Sequence, residues 1–69
     1  MKNMKLTING KPKEYPKRLT VQQLLQQLNL PPERVVVELN RNILPPDMHN
    51  KTELKAEDIV ELVQFVGGG

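Results

Sequence analysis

The 69-residue chain has no cysteine and no tryptophan, and only one phenylalanine, one tyrosine and one histidine. Without cysteine there is no disulfide. There is also no thiolate to carry sulfur or to form a covalent intermediate. A chain near this length buries only about 60% of its unfolded surface. Small domains often add disulfides or a metal, but here packing must act alone. A zinc site wants three or four ligands, and His49 with nearby Asp47 is too few, so no metal site is expected. His49 reads as a structural or solvent-exposed residue of a polar loop. No apolar run approaches the roughly 20 residues of a membrane-spanning helix, and no signal-peptide pattern opens the chain. The missing cysteine fits a reducing compartment, which makes a cytoplasmic location the expectation.

The formal charge is +2, unevenly spread. Residues 1–18 carry Lys2, Lys5, Lys11, Lys13, Lys17 and Arg18 against Glu14 alone. Residues 33–66 carry Glu33, Glu38, Asp47, Glu53, Glu57, Asp58 and Glu61 against Arg34, Arg41, Lys51 and Lys55. The basic half has a single aromatic, Tyr15, and so offers no stacking platform for nucleic acid. It reads as a solvated hairpin, and no nucleic acid is expected as a partner.

Met4, Leu6 and Ile8 alternate with polar residues, the pattern of a half-buried strand. Asn9-Gly10 follows, a hairpin turn signal because a type I′ turn needs positive φ at both central residues. Lys11 to Tyr15 returns antiparallel. Pro12 and Pro16 cannot donate to a ladder, which makes this an edge strand ending by Pro16. Thr20 and Gln23 form a capping box, with Leu19 and Leu24 placed as a hydrophobic staple. Val21, Leu24, Leu25 and Leu28 then make one helical stripe, and Asn29 before Pro31-Pro32 stops it. Val35 to Leu39 reads as a central strand, Ile43-Leu44 as a short one. Residues 47–53 read as polar loop with one helical turn, and Leu54 as its core anchor.

The last strand runs from Ile59 toward Val66. Val60 and Leu62, then Val66, make one face; Ile59, Val63 and Phe65 make the other, with Glu61 among them. If the helix covers the first face, the second stays exposed and largely apolar, which suggests an interface. The order of elements predicts an α+β fold: a mixed sheet of four to five strands across one main helix. The first and last strands are best placed side by side in its middle, as in a β-grasp arrangement.

No catalytic constellation emerges. Glu57-Asp58 reads as a solvated turn rather than an acid/base pair. The three terminal glycines cradle no phosphate, since no helix follows them. What remains is the terminal carboxylate of Gly69, ionised at neutral pH because its usual pKa is about 3.3–3.7. Val66 to Gly69 can reach roughly 14 Å when extended. Glycine suits a thread entering a narrow channel, having no Cβ. The competing reading is a disordered or cloned tail.

Taken together, these residues resemble the ThiS family of ubiquitin-like sulfur carriers. The resemblance runs from Met4 through Asn9-Gly10, Thr20-Val21, Leu24-Leu25, Leu28, Asn40, Pro45, Leu54 and Asp58 to Phe65-Val66-Gly67-Gly68-Gly69. It departs at Glu57, where such proteins usually have Gly before Asp, at Arg41, often Gly, and at His49, near a position often aromatic. Residues 1–3 extend the usual start, leaving Met1 and Met4 as alternative initiators.

The resemblance implies one β-grasp domain over residues 1–66 and a flexible glycine tail over 67–69. It implies a protein substrate rather than an enzyme, with no bound cofactor. An adenylyltransferase of the ubiquitin-activating type would use ATP and Mg²⁺ to adenylate Gly69. A cysteine desulfurase or other persulfide donor would supply sulfur, giving a terminal thiocarboxylate. Thiazole synthase would take that sulfur into the thiazole moiety of thiamine. Gly67 and Gly68 would form the thread, and Ile59, Val63, Phe65 and Val66 the partner-binding surface of a chain that is a monomer when free. The alternatives are carriers for molybdopterin synthase (as its small subunit), tRNA thiolation or cysteine biosynthesis, a ubiquitin-like protein modifier, and a plain interaction module.

Overall fold

A computed structural model describes residues 3–65. Five strands form one sheet: β1 (Asn3–Ile8), β2 (Lys11–Pro16), β3 (Val35–Leu39), β4 (Asn42–Leu44) and β5 (Ile59–Gln64). Their order across the sheet is β2-β1-β5-β3-β4. The helix α1 (Val21–Gln27) lies between β2 and β3 in sequence. The expected mixed sheet is present with five strands, and β1 and β5 are parallel neighbours at its centre.

Local chemistry accounts for the element ends. Asn9 (φ 49°) and Gly10 (φ 80°) supply the two left-handed residues of the β1–β2 hairpin. Thr20 caps α1: the Gln23 amide donates to its hydroxyl at 3.1 Å, and the Thr20 amide donates to the Gln23 side chain at 2.9 Å. At the other end Asn29 takes φ 58°. There Leu30 N–H bonds Leu25 C=O at 2.9 Å and Asn29 N–H bonds Gln26 C=O at 3.2 Å. That pair of bonds is a Schellman motif, which satisfies carbonyls the helix leaves open. A short helical turn, Pro32–Arg34, leads into β3, and the turn expected within residues 47–53 falls at Pro46–Met48.

The core lies between the sheet and α1. Met4, Leu6 and Ile8 of β1, Val35 and Val37 of β3, and Val60 and Leu62 of β5 meet Val21, Leu24 and Leu25 of the helix. Leu19, Tyr15 and Leu54 close its margins. Period-two alternation sends every other strand residue inward, as the burial of β1 and β5 shows. The opposite face of the sheet carries no helix, and there Val36, Ile43, Ile59, Val63 and Phe65 stay exposed.

His49 is buried at 4% exposure. Its carbonyl accepts the Gln22 amide at 3.0 Å, and Thr52 C=O accepts Val21 N–H at 3.0 Å, so this loop satisfies the first turn of α1. Neither ring nitrogen of His49 has a hydrogen-bond partner. The residue is structural, as one of the two readings of the loop had it.

Candidate functional site

β5 delivers the chain to its C-terminal end, and its anchoring is asymmetric. Toward β3, it pairs from Val60↔Leu39 to Gln64↔Val35. One residue further, Phe65 N–H donates to Arg34 C=O at 3.1 Å. Toward β1, strand pairing covers only Thr7↔Ile59 and Ile8↔Val60. Two asparagines extend this hold. Asn40, just after β3, accepts the Ile59 amide on Oδ1 at 2.9 Å and donates from Nδ2 to Asp58 Oδ1 at 3.0 Å. Asn9, just after β1, accepts the Leu62 amide on Oδ1 at 2.7 Å and donates from Nδ2 to Leu62 C=O at 3.2 Å.

Asp58 organises the entry to β5. Its Oδ2 accepts Lys55 N–H at 2.7 Å while its own amide donates to Lys55 C=O at 3.1 Å. Its carboxylate is therefore a turn device, in keeping with the turn read from Glu57-Asp58. Glu57 sits at φ 73°, where a residue with a Cβ is strained. Arg41, at φ 71°, occupies the same kind of backbone. Both are backbone positions that suit glycine, and here the larger residues accept the left-handed conformation.

Of the expected docking residues, Ile59 is 43%, Val63 57% and Phe65 48% exposed. The faces of the last strand are as read: Val60 and Leu62 inward, these three outward. Cross-strand register adds neighbours that the sequence reading missed. Val36 lies opposite Val63, Glu38 opposite Glu61, and Ile43 opposite Glu38. Alternation within Val35-Val36-Val37 could have revealed Val36, but a run of three valines looks apolar on both faces. Thr7, opposite Ile59, borders the patch on the β1 side. The result is an apolar sheet face with two carboxylates set into it, continuous along β5 to Phe65 just beyond the strand. Val66, Gly67, Gly68 and Gly69 lie outside the described residues.

Elsewhere the surface offers little chemistry. A shallow, open depression lies between Pro16, Arg18 and Leu19 and the Gln23, Gln26 and Gln27 side of α1. Its lining holds amides and one guanidinium, without an acid/base pair. Among the described residues no group of three His, Asp or Glu side chains could hold a metal ion, and no helix is long and apolar enough to cross a membrane.

Comparison with known proteins gives a consistent result. The crystal structure of the thiamine biosynthesis protein ThiS of Geobacter metallireducens superposes with a TM-score of 0.82 at 40% identity, covering 96% of this chain and 100% of that one. The sulfur carrier protein ThiS of Bacillus subtilis (strain 168) is 38% identical over 65 residues, 93% of this chain and 98% of that protein. A thiazole synthase of Paramagnetospirillum magneticum is 36% identical over 66 residues, which span 96% of this chain but 20% of the synthase. The ThiS family model matches residues 6–69, through the last glycine. With its β-grasp fold and a family match that spans residues 6–69, this chain belongs to the ThiS family of sulfur carrier proteins.

Proposed function

We propose that the chain carries sulfur on the carboxylate of Gly69 for formation of the thiazole moiety of thiamine. The observation that carries this reading is the continuity of the open apolar face with β5, the strand that leads to the terminal glycines. An enzyme docked on Ile59, Val63 and Phe65 has the chain end within its reach. Val66 and the thread of Gly67 and Gly68 complete the part it would receive. A carboxylate at neutral pH is a poor electrophile. Attack of a Gly69 carboxylate oxygen on the α-phosphorus of ATP, with Mg²⁺ neutralising the phosphates, releases pyrophosphate and gives an acyl-adenylate. A partner's persulfide sulfur then displaces AMP to give an acyl disulfide, and a second thiol of the partner attacks its outer sulfur, breaking the S–S bond, releasing the thiocarboxylate and leaving a disulfide on the partner. The chain has no thiol, so the sulfur comes from a partner: a cysteine desulfurase or another persulfide donor. The adenylating partner is an adenylyltransferase of the ubiquitin-activating type.

Thiazole synthase is the acceptor in this reading. The chain's similarity to one-fifth of a thiazole synthase supports it. A carrier-like segment within the same polypeptide as the synthase works at high effective concentration, which suits successive steps on one sulfur atom. The free chain is a monomer and acts in the cytoplasm, where ATP and reduced sulfur are available.

Intact-mass measurement tests the reading. After incubation with ATP, Mg²⁺, the adenylyltransferase and a sulfur donor, one oxygen of the chain is replaced by sulfur at the C-terminus. Adducts joined to lysines of other proteins would instead make the chain a modifier. An unchanged mass with partners competent on another carrier would refute the proposal.

A further inference from the structure

We propose that Asn9 is a positioning residue for chemistry at the C-terminus. Its side-chain carboxamide serves as an additional rung of the sheet that fixes the end of β5, and with it the direction in which the chain leaves the sheet. The inference rests on the reading that the terminal carboxylate is the reacting group.

The geometry follows from where β1 stops. On the β1 side of β5, Asn9 N–H takes the Val60 carbonyl at 2.9 Å. The next residue of β5 facing that side is Leu62, since strand residues present their backbone groups to alternate edges. By then β1 has turned away through Gly10 into β2, and no backbone remains to meet Leu62. The Asn9 carboxamide fills the place: Oδ1 receives Leu62 N–H at 2.7 Å and Nδ2–H reaches Leu62 C=O at 3.2 Å. A primary amide carries the same donor and acceptor as a peptide group, so the ladder continues by one rung. On the other edge Phe65 N–H is held by Arg34 C=O. The strand is thus fastened on both edges within its final residues. Without the Asn9 rung, the last residues of β5 would be held along the β3 edge alone.

A turn residue alone would not need this side chain. Asn9 adopts φ 49°, which Gly and Asp also accept readily. Asn9→Gly therefore keeps the turn and deletes the rung. Asn9→Asp keeps the acceptor for Leu62 N–H but sets an oxygen against Leu62 C=O. Neither variant alters the exposed apolar face.

The test combines amide exchange of the free protein with steady-state kinetics of its adenylation. In Asn9→Gly, Leu62 N–H exchanges about tenfold faster relative to Leu6 N–H, since the bond that protects it is lost. Asn9→Asp lies between this variant and the unsubstituted chain. For adenylation, kcat falls roughly tenfold in Asn9→Gly while KM holds within about twofold, as misplacement of a reacting group demands. Asn9→Asp provides the same comparison should the glycine variant fold poorly. Unchanged Leu62 exchange in both variants would overturn the rung. Fast exchange with unchanged kcat would reduce Asn9 to a stability role and overturn the positioning. A raised KM at constant kcat would do the same by moving Asn9 into docking. Failure of the unsubstituted chain to be adenylated would instead refute the proposed function, and the inference with it, while the exchange result would still report the rung.

Discussion

Glu38 of β3 and Glu61 of β5 stand directly opposite each other on the helix-free face of the sheet. Like charges at this spacing destabilise a sheet. The two carboxylates are flanked by Val36 and Val63 on one side, Ile59 on the other, and Ile43 beyond Glu38. A docked partner that covered them without supplying a cation would desolvate both charges at considerable cost.

Glu61→Gln therefore separates folding from docking. The free protein gains about 0.2–1 kcal/mol, read as a small rise in melting temperature. Association with the adenylyltransferase slows and becomes less sensitive to salt, because a steering charge is gone. Stopped-flow association at two ionic strengths checks this. A faster, more salt-sensitive association would contradict an acidic steering role.

Phe65→Ala and Val63→Ser weaken docking with little effect on stability, since both side chains are about half exposed. The expected outcome is a KM for adenylation raised about tenfold, as for residues near the centre of an interface. The melting temperature stays within a few degrees. Unfolding of either variant would place these side chains in the core after all.

Deleting Gly69 abolishes conversion to the thiocarboxylate, read by intact mass. The buried core is built from residues between Met4 and Leu62, so thermal stability is unaffected. A large drop in melting temperature would give the terminus a structural role.

His49→Met should raise the melting temperature. The ring nitrogens are buried without partners, an arrangement that costs about 1–3 kcal/mol. A methionine of similar volume fills the same space without that penalty. The backbone of residue 49 still receives the Gln22 amide. Roughly 4–8 °C of gain per kcal/mol applies to a domain of this size, and differential scanning calorimetry reads it.

Thr20→Ala removes one half of the capping box and costs about 1 kcal/mol. Loss of that bond frays a helix of only seven residues. A melting temperature unaffected by the change would mean that the loop carbonyls of His49 and Thr52 suffice to start α1.

What could be read in advance was what is local. Thr20 and Gln23 are three positions apart, and their spacing alone announced the cap. Asn9-Gly10 announced a hairpin for the same reason. The alternation of Ile59 to Phe65 sorted that strand into an inward and an outward face correctly. What could not be read depends on register between distant segments. The partner of the Asn9 side chain lies 53 residues away, and Val36, Ile43 and Glu38 join the open face only once β3 has been set against β5 and β4. Burial of His49 was equally invisible, because a polar loop gives no sign that it folds back over a helix. Arg18, at φ 63°, follows Lys17 in a stretch without a turn signature, and its strained backbone left no trace in the residue types.

The placement of β5 carries a last consequence, for the order of events in the cell. This strand lies between β1 and β3, yet it is the last strand to be synthesised. Until it inserts, the sheet is two separate ribbons, and Ile59, Val63 and Phe65 share no surface with Val36 and Ile43. A released but unfolded or misfolded chain thus lacks the face that the proposed adenylating enzyme would grip. Under the proposed docking on this face, loading would wait on completed folding.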